Sequence, residues 1–320
     1  MTYQPSAIDD DLISLPTLPA WVTAGCAESP ETVAFRSGVA LTVLDQLASD
    51  PSKGVPLKLL ANRLALAAAT QTSKLEGRLA READIRDAYH LAPAGEARGP
   101  DGDLLAFWRD AARLKLMERG LRDDMQGLVG STFVDDVPRL IEAGAVRAKT
   151  HGPLAGCTLV VRAVLDADDR AERIACLLSD VVLARALNWP MVLPASVQRL
   201  TKAMLRDLVA EGQGAELKIQ QRLLESVEDI ISLARNLARR ARALQGIAPK
   251  LRAKGSDAAV ALFLSEDAVG PSTMLSPMIK GTSISMTDRA ARRFCDRLVE
   301  LGVARELTGR STFRLYGISP

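Results

Sequence analysis

Apolar residues recur at helical spacing along most of the chain. Glu28–Ser49 predicts a helix with Phe35, Val39, Leu44 and Leu47 facing inward, stopped by Asp50-Pro51. Pro56 to about Gly77 is rich in alanine and leucine and suits a buried, central position. Glu82–Leu91 is a short helix, Ala92–Gly102 (APAGEARGPDG) a loop, and Leu104–Arg119 the next helix. Beyond His151-Gly-Pro, Leu154–Asp166 and Arg170–Asn188 flank a charged joint, and Ser196–Ala210 follows Trp189-Pro190 and Pro194. The longest periodic stretch is Glu216–Gln245, where Leu223, Ile230, Leu237 and Leu244 recur every seven residues. Such a seam packs inside a bundle or pairs two chains as a coiled coil, so a homodimer through helix 216–245 is one expectation. The pattern divides the chain into an extended arm over 1–27, a helical body over 28–245, a linker over 246–255 and a C-terminal unit over 256–320.

The C-terminal unit changes character. After SDAAVALFLSEDAV comes a turn-rich bridge, with at most a short turn of helix around Ser276–Lys280. Thr287 is then a natural N-cap, with Asp288 in the first turn behind it. Ala290, Phe294, Leu298 and Leu301 form one apolar face, which leaves Arg289, Arg292, Arg293 and Arg297 outward. Gly302 stops the helix. Val303–Leu307 and Phe313–Tyr316 then alternate as a two-stranded ribbon around Thr-Gly-Arg-Ser.

This order of helix, arginine-bearing helix and hairpin resembles a winged helix-turn-helix, above all in LVELGVARELTGRSTFRLY. Guanidinium groups on an exposed helix can fork onto guanine edges or phosphates in a major groove. On the wing, Arg310, Ser311, Thr312 and Arg314 supply donors suited to phosphate. The expected partner is double-stranded DNA. The same arginines, interleaved with Asp288, Asp296 and Glu300, would also suit a merely solvated face.

Charge sharpens this picture. Net charge is only +2, which argues against a generic polyanion binder. Residues 1–50 hold seven acids against one base, and residues 250–320 hold eleven bases against seven acids. The positive charge is thus concentrated where the DNA-reading unit is expected. Cys26, Cys157, Cys176 and Cys295 have no metal-binding or disulfide spacing. The expectations are therefore no metal, no cofactor, no membrane and a cytoplasmic protein, since neither a leader nor a spanning segment is visible.

Within the body, three features in chain order resemble the Fic (filamentation induced by cAMP) fold, whose active members transfer AMP to protein hydroxyls. The family's loop reads His-x-Phe-x-Asp/Glu-Gly-Asn-Gly-Arg-x-x-Arg. Here the matching stretch runs from Arg162 to Arg173, with Asp166, Arg170 and Arg173 kept, Asp168 at the asparagine position and IACLLSDVVLARALNWPMVLP after it. Thr72-Ser-Lys-Leu-Glu76-Gly77 matches the signature of the helix that inhibits many Fic proteins. The resemblance implies an ion pair between Glu76 and Arg173. It also implies lost chemistry. Arg162 stands where the catalytic histidine would be and cannot act as a base at neutral pH. Val164 replaces the phenylalanine, and Ala167 and Asp169 replace both phosphate-approaching glycines.

The fold class expected is thus mainly α: a multi-helix, Fic-like bundle with a C-terminal winged helix-turn-helix. The function expected is a sequence-specific DNA-binding regulator or plasmid-associated factor that is not an enzyme. The other readings are an interaction scaffold on a mobile element and a Fic-type nucleotidyl transferase. The chain as a whole also resembles an uncharacterised alphaproteobacterial, often plasmid-borne, family of unknown function. The resemblance rests on KLEGR…READIRDAYHL, LNWPMVLP and KLRAKGSDAAVALFLSEDAV.

Overall fold

Ser29 and Pro30 start the first long helix. The Ser29 hydroxyl accepts from the Thr32 amide at 3.2 Å and the proline occupies the first turn. In the computed structural model, which describes residues 15–23, 29–93, 95–116, 121–211, 213–251 and 254–318, the protein is mainly helical, with a small antiparallel sheet near its C-terminal end. After a single turn, α1 (Ala20–Thr23), come α2 (Pro30–Ser49), α3 (Leu57–Leu75), α4 (Glu82–His90) and α5 (Gly99–Ala111). Then follow α6 (Leu121–Phe133), α7 (Val137–His151), α8 (Pro153–Ala167), α9 (Glu172–Ala186), α10 (Lys202–Glu211) and α11 (Gln213–Ile247). Residues 1–14 and 24–28 of the expected arm, Cys26 among them, lie outside the described residues.

The buried face of α2 is turned relative to expectation. Val33, Ser37, Ala40 and Leu41 point inward with Leu44 and Leu47, whereas Val39 is half-buried and Phe35 is exposed, against Trp21 at 6.0 Å. Small residues at 37 and 40 suit the close approach of α11, which a phenylalanine would obstruct. Helix α3 is buried along most of its length and ends at Gly77, whose φ of 77° suits a glycine stop. Helix α5 begins at Gly99, inside the expected loop, because Pro100 and Asp101 favour a first turn there; it ends at Ala111. Helix α10 starts at Lys202 rather than Ser196. Residues 195–200 instead coil over Asp180, whose Oδ1 accepts from the Ala195 and Ser196 amides at 3.1 and 2.8 Å and from the Ser196 hydroxyl at 2.7 Å.

Helices α7, α8 and α9 pack most intimately. A Cβ at Gly144 would lie 2.7 Å from methyl carbons of Val160 and Val182, and one at Gly156 would run into the Gly144 carbonyl. The absence of side chains lets α7 and α8 cross backbone to backbone. The seam of α11 is filled from within: Leu223, Ile230, Leu237 and Leu244 are all buried, together with Leu224, Val227, Ile231, Ala234, Ala238 and Ala241. Helices α2, α8 and α10 cover it. The heptad seam is therefore spent on the protein's own bundle.

From α11 a 3₁₀ turn, Ala248–Lys250, leads towards the C-terminal unit. It comprises α12 (Ser256–Phe263), a π turn (Pro271–Leu275), α13 (Asp288–Glu300), β1 (Ala304–Glu306) and β2 (Tyr316–Ile318). The turn lies before Ser276, not around Ser276–Lys280, and the second strand is 316–318 rather than 313–316. In the ribbon Ala304 faces Ile318, Arg305 faces Gly317 and Glu306 faces Tyr316; Val269 adds a bridge to Tyr316 on the other edge. The unit shares one continuous apolar core with the bundle. No described helix is long and apolar enough to cross a membrane.

Candidate nucleic-acid interface

Helix α13 presents the arginine row. The Thr287 hydroxyl accepts from the Ala290 amide at 3.3 Å, as the N-cap pattern predicts. Ala291, Phe294, Cys295 and Leu298 are buried, with Phe294 against Phe263 at 6.3 Å. Ala290 and Leu301, expected on this face, sit half-buried at its margins. Gly302 takes φ 71° and ends the helix. Arg289, Arg292, Arg293 and Arg297 all project into solvent.

Their charges are not equally available. Arg292 pairs with Asp288 at 2.9 Å one turn back, and Arg297 with Glu300 at 2.9 Å. Such exposed pairs are worth at most about 1 kcal/mol and yield readily to a stronger anion. Among the described residues, Arg289 and Arg293 have no carboxylate within ion-pair distance. With Thr287, Arg297 and Lys250 they line a shallow depression of about 610 Å³.

The ribbon beside α13 is braced at three points. The Glu306 carboxylate accepts from the Thr308 and Gly309 amides at 2.8 and 2.7 Å and from the Thr308 hydroxyl. Partial burial opposes its ionisation, but those bonds prevail and hold it below the usual carboxylate range. Arg314 Nε donates to the Arg310 carbonyl at 3.0 Å. Arg310, although exposed, reaches back to Asp87 of α4 at 3.1 Å, where buried Arg86 also binds Asp87 at 2.7 Å and donates to the Leu307 carbonyl at 3.0 Å. Ser311, Thr312 and Arg314 are exposed. A cleft of about 430 Å³ separates ribbon from helix, bounded by Arg292, Asp296, Ser311, Phe313 and Arg314.

A buried ionic cluster sets the position of this unit on the bundle. Arg109 of α5, almost wholly enclosed, binds Glu266 and Asp267, the latter at 2.8 Å. His90 Nε2 lies 3.3 Å from Asp267, and Lys280 completes Glu266 at 3.0 Å. Burial alone would raise the Asp267 pKa, but His90 and Arg109 overcome it and hold the carboxyl at about 2. Asn62 and Arg63 of α3 add bonds to the Ser265 and Ile318 carbonyls, each at 2.7 Å. Periodicity does not single out these residues. The usable signal is an acidic pair inside the apolar run ALFLSEDAV, where uncompensated charge would be costly.

The residues matched to the Fic motifs lie in the helical body, at the end of α3 and from α8 into α9. Arg173 Nε meets Glu76 at 3.5 Å, the ion pair expected across the body, and its guanidinium covers Phe107 at 4.8 Å. Thr72 is buried and accepts from Trp108 Nε1 at 2.9 Å. Arg162 pairs with Asp166 at 3.7 Å and Glu216 at 3.5 Å. Asp168, whose amide closes α8 on the Val164 carbonyl, accepts with its side chain from the Arg170 amide at 2.9 Å in the loop that follows. Arg170 also borders a cavity of about 440 Å³ with Asp169, Glu172, Lys202 and Arg206. No cluster suited to a metal ion occurs among the described residues.

No curated protein matches the chain. Residues 6–318 match the family described as "Protein of unknown function (DUF1403)", and with nearly the whole sequence covered, the chain belongs to that family.

Proposed function

We propose that the protein binds double-stranded DNA sequence-specifically through residues 256–320, as a winged helix-turn-helix unit on a catalytically inactive, Fic-like body, and acts as a transcriptional regulator or plasmid-associated factor. The observation that carries this reading is the row of four exposed guanidinium groups on α13, two of them unpaired among the described residues, beside a braced ribbon bearing Arg310, Ser311 and Arg314. The helix offers groups that can reach base edges, and the ribbon offers phosphate donors that would fix register. The Val269–Tyr316 bridge gives the ribbon a third edge, an arrangement that suits a wing. The inactive body is supported by arginine at position 162, where proton abstraction would need a group able to lose its proton. The Glu76–Arg173 pair supports the Fic-like reading as architecture rather than inhibition.

Duplexes recovered by selection from random sequence, titrated at several salt concentrations, test the reading. Affinity should fall steeply with salt as phosphate-bound counterions are released. Arg289→Ala with Arg293→Ala should flatten the slope by about two, if each neutralises one phosphate. Affinity indifferent to ionic strength, or no enrichment of any sequence, would remove DNA reading from consideration.

A further inference from the structure

Phe313 is an outlier twice over. Its side chain is 75% exposed, and its backbone lies in the left-handed region at φ 53°. Among the described residues the other non-glycine in that region is Asn188, a residue type that tolerates it; a bulky aromatic does not. Neither departure serves the core. Exposure forfeits the burial a phenylalanine could have, and the backbone conformation adds strain.

The surrounding contacts hold the ring out. Glu306 gathers the Thr308–Gly309 turn, Arg314 closes onto the Arg310 carbonyl and Asp87 anchors Arg310, so the tip around Phe313 is fixed from both sides. Ser311, Thr312 and Arg314 line a cleft together with the ring and offer it phosphate-seeking groups, and Arg310, paired with Asp87, stands three residues before it. A solvent-held aromatic in a cationic setting fits a polyanion that also offers flat apolar faces. Stacked bases meet that description, whereas an apolar protein pocket has no use for the cations.

We propose that Phe313 is a wedge that enters the minor groove next to the major groove occupied by α13 and partly unstacks one base step. The inference rests on the DNA-binding reading and adds to it a deformed duplex. A ring without donors or acceptors cannot read base edges, so its contribution is stacking and the bend it imposes. Specificity then arises partly from how easily the contacted step opens, and pyrimidine–purine steps are favoured.

The test uses the full chain and a selected duplex carrying 2-aminopurine at successive positions, with donor and acceptor dyes on its ends. Wild type should brighten 2-aminopurine at one step and shorten the end-to-end distance, in keeping with a kink of about 20–90°. Phe313→Ala should bind about ten- to a hundredfold more weakly, the usual cost of a lost aromatic–base stack, with an unchanged salt slope and no brightening. Phe313→Trp should restore both signals. Arg293→Ala should lower the salt slope by about one and keep the brightening. If wild type binds steeply with salt while Phe313→Ala binds and bends equally well, the wedge is refuted and DNA binding stands. If wild type binds no duplex, both fall.

Discussion

Arg109→Met removes the one guanidinium that joins α5 to Glu266 and Asp267 and leaves the surrounding geometry nearly filled. Breaking a buried ion pair from one side costs about 3–5 kcal/mol, because the surviving charge is stranded away from water. Here the loss belongs near the lower end, about 3 kcal/mol, because His90 remains at 3.3 Å from Asp267 and Lys280 at 3.0 Å from Glu266. The acid limb gives an independent check. The folded Asp267 carboxyl sits at about 2, below an ordinary aspartate at 3.8. Its ionisation thus adds about 2 kcal/mol of stability above pH 4, and that contribution is lost as pH falls towards 2. In Arg109→Met the depression shrinks, so acid unfolding should begin at higher pH. Urea denaturation from pH 3 to 7 measures both effects, and hydrogen exchange should show residues 256–318 opening first. Arg109→Met with Asp267→Leu should lose less than the sum of the single changes, because the stranded charge is gone. A single mutant within about 0.5 kcal/mol of wild type, with unchanged protection over 256–318, would refute a cluster that docks the C-terminal unit.

Two further outcomes follow from the packing. Burial pushes the Asp180 carboxyl up to about 7, against the hydrogen bonds that Oδ1 accepts from Ala195 and Ser196. A raised folded pKa means stability present below about pH 4 and lost as pH climbs to 7, by about 4 kcal/mol; Asp180→Asn should flatten that window in urea titrations. An equally steep profile in the mutant would place the titration elsewhere. Gly156→Ala should cost about 2 kcal/mol despite alanine's better helix propensity, because its methyl would strike the Gly144 carbonyl. Gly127→Ala, exposed within α6 and with nothing within 4 Å of the added carbon, should instead gain about 0.5 kcal/mol. Similar thermal midpoints for the two alanine variants would contradict the close crossing of α7 and α8.

What the sequence determined by itself was local. The Thr287 cap, the Gly77 and Gly302 stops and the outward arginine row of α13 depend on neighbours one to four residues away, and each stands where those neighbours put it. The Glu76–Arg173 contact is long-range, yet it was legible because a motif resemblance carried the spacing. Tertiary structure decided everything that depends on which surface another element claims. The heptad pattern of α11 is equally compatible with a partner chain and with its own bundle, and only the positions of α2, α8 and α10 resolve it. The inward face of α2 is the one carrying Val33, Ser37, Ala40 and Leu41, and Phe35 is left exposed, a choice that depends on what packs against the helix. His90 and Arg109 lie on α4 and α5, far in sequence from Glu266 and Asp267; the apolar run around the acidic pair hints at burial, but nothing local says which groups come to meet it. Phe313 shows the limit most plainly. Alternation placed it in a strand, whereas closure of the ribbon against Val269 and Leu307 moved pairing to 316–318 and left the ring on the turn. Backbone propensity is settled within a few residues. Burial and charge pairing are properties of the assembled surfaces, and a chain read in one dimension does not contain them.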